Sequence, residues 1–171
     1  MEEVMKRVFA VVLVLIMCLA VMTGCGKKDE PIEPGMPNPV TSYGDAAEQA
    51  LAVGFGLEAP EGASDVSYQS IESMAETVFT LNGVKYSYRA EATDKLEAYD
   101  MSGLFYEMEE SAGSVQDRDA VVMLCEEAGF VMWLDVVPGI NYNLSAVGAV
   151  DADTLLSVAN SVFASVQGEA G

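Results

Sequence analysis

The clearest pattern lies between positions 74 and 91. Met74–Leu81 and Val84–Glu91 each alternate apolar with polar residues, and Asn82-Gly83 separates them. Alternation is the period of a strand, and an Asn-Gly pair favours the two-residue turn of a hairpin. Setting Leu81 opposite Val84 fixes the register. Phe79 then faces Tyr86, Thr77 faces Tyr88 and Ala75 faces Ala90, all on one face. Thr80 and Lys85, Val78 and Ser87, Glu76 and Arg89 pair on the other. A slip of one residue would send the aromatic side chains to the wrong side. Glu76–Arg89 reads as a surface register pair, worth well under about 1 kcal/mol.

The flanking segments are weaker variants of the same signals. Ser42 caps a short helix, with Asp45 at its positive end and Ala46, Ala47, Ala50 and Leu51 as its apolar stripe. Gly54 and Gly56 end it, and Phe55 and Leu57 between them are expected core anchors. Pro60-Glu61-Gly62 is a turn. Val66–Ser73 reads as a strand. Thr93–Tyr99 reads as a loop or a single helical turn, Leu104–Glu109 as a short alternating strand, and Ser111–Asp117 as a polar loop.

Ala120–Cys125 and Phe130–Val137 read as a second hairpin that turns at Glu126–Gly129. Both of its strands are apolar on both faces, the pattern of a central position. Phe130, Met132, Leu134 and Val136 share one face, and Val131 and Trp133 the other. Pro138-Gly139 leads into the strict alternator Ile140–Leu144. Asp151 or Asp153 caps a closing helix whose stripe is Leu155, Leu156, Val158, Ala159, Val162 and Phe163. The expectation is an α+β fold: one antiparallel sheet of about six strands with an N-terminal and a C-terminal helix packed on it. One helix covers one sheet face. If the other helix leaves the second face open, Val131 and Trp133 become ligand-facing there.

The first 25 residues follow a different rule. Lys6-Arg7 precedes an uncharged apolar run, Val8–Met22, and the run ends at Thr23-Gly24-Cys25. The run is shorter than the ~20 residues of a membrane-spanning helix, and its basic front and small-residue end fit a cleaved secretory signal. Met22-Thr23-Gly24-Cys25 resembles the lipobox of bacterial lipoproteins. The resemblance implies that residues 1–24 are removed and that Cys25 carries a thioether-linked diacylglycerol. Two acyl chains anchor stably where one is marginal. Glu2 and Glu3 are unusual ahead of a signal, which points to Met5 as the true start. Residues 25–41 hold the lipidated Cys and four of the six prolines, and the stretch from Gly26 to about Val40 is a tether that reaches up to roughly 45 Å from the bilayer at about 3.1 Å per residue. The domain then occupies 42–166, and 167–171 is a polar tail.

Composition narrows the chemistry. The chain holds 8 basic and 27 acidic residues, a net charge of −19. Two of each sign precede position 25, so the exported part keeps the whole imbalance. Such a surface repels nucleic acid and anionic polymers. There is no histidine, which excludes Ser-His-Asp and Cys-His catalysis and His-containing zinc sites. With Cys18 in the signal and Cys25 lipidated, Cys125 stands alone, and it reads as a buried inert thiol in an apolar strand. Glu107, Glu109, Glu110, Asp117, Asp119, Glu126 and Glu127 read as a solvated rim. Their spacing matches no calcium loop. Asp151-Ala152-Asp153 is explained by helix capping. No cofactor, no metal and no catalytic residue is expected.

Several segments together resemble a known group. They are Tyr43-Gly44-Asp45-Ala46-Ala47-Glu48, Gly54-Phe55-Gly56-Leu57 followed by Pro60, Val84-Lys85-Tyr86-Ser87-Tyr88-Arg89 and Asp100-Met101-Ser102-Gly103. Trp133, the Ile140–Leu144 strand and the closing helix complete the set. Over residues 42–166 the chain resembles the Gram-positive extracytoplasmic lipoproteins of the domain-of-unknown-function family 4367. The resemblance implies an exported, non-catalytic domain of the kind often attached to membrane-bound signalling proteins, and it supplies no catalytic residues. A direct anti-sigma role is not carried over. The functional expectation is a lipoprotein held to the outer face of the cytoplasmic membrane through Cys25. It would bind or sense a protein or a small apolar ligand, and not nucleic acid. Two alternatives stay open: a carboxylate-based hydrolase of cell-surface glycans, which needs two acids about 5–9.5 Å apart, and a carrier of an apolar ligand.

Overall fold

The computed structural model describes residues 40–166. The signal, Cys25, the tether up to residue 39 and the tail 167–171 lie outside the described residues. The first strand, β1 (Val40–Tyr43), begins two residues inside the segment read as tether. Helix α1 (Ala46–Val53) follows, then β2 (Phe55–Glu58), β3 (Ser64–Ile71), β4 (Met74–Leu81) and β5 (Val84–Ala92). After a long connection come β6 (Glu109–Val115), β7 (Arg118–Leu124), β8 (Ala128–Asp135) and β9 (Ile140–Val147). Helix α2 (Ala152–Ala159) and β10 (Phe163–Val166) close the described chain.

The α+β class is as expected, but the sheet has eight strands rather than about six. They are all antiparallel, in the order β1-β3-β4-β5-β9-β8-β7-β6. A separate antiparallel ribbon pairs β2 with β10. The β4–β5 hairpin carries the expected register at all seven pairs from Ala75–Ala90 to Leu81–Val84. Asn82 and Gly83 both take positive φ (53° and 80°), the geometry an Asn-Gly turn favours.

The core lies on one sheet face. Phe79, Tyr86, Tyr88, Trp133, Leu144 and Val131 point into it, and Phe55, Leu57, Leu155, Val158 and Val162 cover it from above. Both helices and the β2–β10 ribbon therefore share this face. Two glycines make room for α2. A Cβ on Gly113 would lie 2.8 Å from Leu156 Cδ2, and one on Gly129 would lie 3.0 Å from Leu155 Cδ1. Over β4 the ribbon is tied down by Thr77 Oγ1, which donates to the Leu57 carbonyl at 2.8 Å. The Tyr88, Trp133 and Tyr142 rings stack nearly parallel, with centroids 5.2–6.2 Å apart. Burial, ahead of the nearby Asp135, pushes the Tyr142 phenol up to about 12.

Local expectations are corrected in several places. The cap of α1 is Asp45, whose carboxylate accepts from Glu48 N at 2.8 Å, and not Ser42, which belongs to β1. Leu51 is exposed, and the buried face of α1 is Ala46, Gln49 and Ala50. Gln49 Nε2 donates to the Gln69 and Glu76 carbonyls, and its Oε1 accepts from Leu57 N. A polar side chain thus joins α1, β2 and the sheet. Leu104–Glu109 forms no strand before Glu109, whereas the segment read as a polar loop is the edge strand β6. Its turn, Gln116-Asp117, holds positive φ without glycine (50° and 63°). Gln116 N donates to Asn160 Oδ1 and Gln116 Nε2 donates to the Val162 carbonyl, so the C-cap of α2 and the segment just after it supply the bonds that fix it. Helix α2 is capped by Asp151 and ends at Ala159, and Phe163 starts β10 rather than extending the helix.

Candidate functional site

The face opposite the core carries the features that packing alone does not require. β5 sits mid-sheet and β6 at its far edge, so residues 93–108 must pass β9, β8 and β7 to connect them. This sixteen-residue strap has no regular structure. Long irregular segments in small domains commonly serve binding. The strap is held by side chains of the outer face. Asn141 grips the Tyr99 peptide from both sides: its Oδ1 accepts from Tyr99 N at 3.1 Å, and its Nδ2 donates to the Tyr99 carbonyl at 2.8 Å. Arg89 Nη1 donates to the Met101 carbonyl at 2.5 Å. The Tyr99 hydroxyl donates to Glu91, and Thr93 N donates to the Gly139 carbonyl at 2.8 Å. Met101 and Ser102 are buried beneath this clasp.

Below the strap runs a polar row set by strand register: Gln69, Glu76, Arg89 and Asn143 on β3, β4, β5 and β9. Glu76 is the buried carboxylate of the row and not the surface residue expected. It accepts from Arg89 Nε at 2.7 Å, from Ser87 Oγ at 2.6 Å, and from Gln69 Nε2. Burial by itself would raise its pKa. The bonds from Ser87 and Gln69 and the Arg89 charge together outweigh burial and hold the carboxyl below the ordinary value. Asn143, next in the row, is fully buried, and neither of its amide atoms has a hydrogen-bond partner among the described residues.

Two other groups fall differently from expectation. Val131 and Trp133 lie on the covered face beneath α2 and are closed to solvent, so neither faces a ligand. The outer face of β8 is instead Phe130, Met132 and Leu134. Cys125 sits in the β7–β8 turn, partly exposed, rather than inside a strand. Its Sγ lies 3.4 Å from the Ala128 carbonyl oxygen, and Glu107, Glu109, Glu126 and Glu127 surround the hollow it lines. Among the described residues no group of three His, Cys, Asp or Glu can hold a metal ion.

The strap also presents apolar surface. Leu96 is 81% exposed and Phe105 98% exposed. Where the strap begins, it borders the β8–β9 turn, on which Val136 and Val137 are also exposed. Leu96, Ala98, Val121, Leu134 and Val136 line an open groove of about 560 Å³ there, with Glu97 and Asp119 at its rim. Arg118, also on the groove, is ion-paired with Asp135. Thr93–Tyr99 is the loop that the sequence allows, but the rest of the strap and its exposed side chains were missed because Leu104–Glu109 alternates like a strand. Only the eleven residues between Ala92 and Leu104, without a period, hinted at it.

No protein-family model, curated protein or solved structure matches this chain. The fold and the outer face define an α+β domain with a one-sided core and a strap clasped across the other face. Among the described residues no helix is long and apolar enough to cross a membrane.

Proposed function

We propose that the chain is an extracytoplasmic lipoprotein, similar to the family 4367 domains, whose folded part is a non-catalytic binding domain with the strap-bearing face as its binding surface. The observation that carries this reading is the strap itself. Four polar clasps hold it in place, yet it turns Leu96 and Phe105 out to water. Apolar side chains fixed at the surface on a rigid support are what a docking surface requires, since little ordering entropy is lost on binding. Glu76, the buried carboxyl of this face, does not suit the acid of a carboxylate hydrolase. A general acid needs a raised pKa, and this buried carboxyl is held lowered and fully bonded. The lipobox-like Met22-Thr23-Gly24-Cys25 and the proline-rich segment after it support the reading of a domain tethered outside the cytoplasmic membrane.

The test has two arms. Cys25→Ser should move the protein from the membrane fraction to the soluble fraction or the medium. Chemical crosslinking on intact cells should recover a defined partner with the wild-type chain and lose it with Leu96→Asp plus Phe105→Ser. Retention of the Cys25→Ser protein in membranes would overturn the lipid anchor. Crosslinked products that do not change in the strap variant would overturn the binding surface.

A further inference from the structure

We infer that the groove between the strap and β7–β8 is a docking site for a cationic, apolar peptide segment. The inference rests on the reading of the strap face as a binding surface and names the chemistry of its partner. Three observations converge. First, the floor is apolar and comes from three places in the chain: Leu96 and Ala98 of the strap, Val121 of β7, and Leu134 and Val136 at the end of β8. Isolated exposed apolar residues need no explanation, but here Leu96 and Val136 stand exposed over one hollow. Second, the volume of about 560 Å³ is that of a ligand site, and the hollow is half open to solvent rather than enclosed. An open trough suits side chains projecting from a chain that itself stays outside. A small apolar molecule would remain largely in water there.

Third, the electrostatics select the sign of the partner. Glu97 and Asp119 stand on the rim without a cation bonded to either, among the described residues. The one basic residue at the groove, Arg118, is already neutralised by Asp135. Around this lies a chain with a net charge of −19. An acidic or neutral apolar segment would meet repulsion or no attraction, whereas Lys or Arg flanking apolar residues would meet both rim and floor. Complementary charge of this kind raises the association rate and rejects partners of the wrong sign.

The probe is a dye-labelled twelve-residue peptide of leucines and lysines, titrated against the full chain purified into zwitterionic-lipid nanodiscs. Empty nanodiscs are the blank. Fluorescence anisotropy should show saturable binding that weakens as salt rises. Leu96→Asp and Val136→Asp should each weaken it at least tenfold, and Glu97→Lys plus Asp119→Lys by a similar factor. Leu51→Asp, at an exposed apolar position on α1, should leave it unchanged. A lysine–serine peptide of equal charge should bind at least tenfold more weakly. Equal binding of the two peptides, or binding indifferent to Leu96→Asp and Val136→Asp, would reduce the effect to bulk charge and overturn the inference. Absence of binding would overturn it too. If a partner is still recovered through the strap, only the peptide chemistry falls; if that recovery also fails, the binding-surface reading falls with it.

Discussion

Two residues of the outer face are the most informative in the molecule, because each breaks a rule of burial in a different way. Asn143 is buried with both amide atoms unpaired. An unsatisfied buried polar group costs about 1–3 kcal/mol. Replacing it with an apolar group of similar shape removes that cost. Asn143→Leu is therefore expected to raise stability by about 1 kcal/mol or more, seen as a higher urea midpoint at unchanged slope. A lower midpoint would mean that the carboxamide is satisfied in solution. Glu76 is the opposite case, buried and fully bonded. Its folded-state pKa lies below the ordinary carboxyl value of 4.5. Its contribution is thus complete above the ordinary value and is lost as pH falls through the lowered one. Glu76→Gln should destabilise the protein by about 3 kcal/mol at neutral pH, the low end for one partner of a buried pair, because Arg89 keeps its bond to Met101. It should also flatten the acid limb of the stability curve. Urea midpoints measured from about pH 3 to 7 check both, and an acid limb unchanged in the variant would place the titration elsewhere.

At the scale of elements, legibility followed the strength of local signals. The β4–β5 hairpin was readable to the residue because alternation and Asn82-Gly83 agree. The β6–β7 hairpin was not. Glu109–Val115 is an edge strand whose polar sequence discourages pairing with other chains. Its Gln116-Asp117 turn is fixed by bonds that Gln116 donates to Asn160 and Val162, which lie more than forty positions away. β2 and β10 were hidden in the same way. Phe55 and Leu57 read correctly as core anchors, but their pairing partner follows a helix whose apolar stripe reads on through Phe163. The ribbon also depends on one close approach. A Cβ at Gly56 would stand 2.0 Å from the Ala46 carbonyl oxygen, a backbone atom that cannot step aside. Gly56→Ala should cost about 3 kcal/mol or more through overpacking between α1 and β2. Thermal unfolding measures it, and a change within about 0.5 kcal/mol, the range of a neutral surface substitution, would show that α1 and β2 are not in such close contact.

On the scale of the molecule, the two sheet faces divide the work. One face buries the aromatic stack under both helices and the ribbon. The other holds a polar row, a clasped strap and the exposed apolar side chains. From the sequence, Val131 and Trp133 are ligand-facing only if the second sheet face stays open, because β8 is apolar on both sides and alternation cannot say which side the helices take. The chain placed both helices on the Val131–Trp133 side, and the 93–108 connection fell on the opposite side, clasped by Arg89 and Asn141 and bordering Leu134. That choice depends on the long-range order β5-β9-β8-β7-β6, which no local pattern encodes.

The central claim is that partners meet this protein on the strap face. A photo-reactive amino acid placed at Phe105 tests it most directly, with the same residue at Leu51 on α1, 74% exposed, as the reference. After illumination of intact cells, a discrete crosslinked species is predicted from position 105 and none from position 51. Crosslinking from position 51 alone, or indistinguishable patterns from the two positions, would contradict the account.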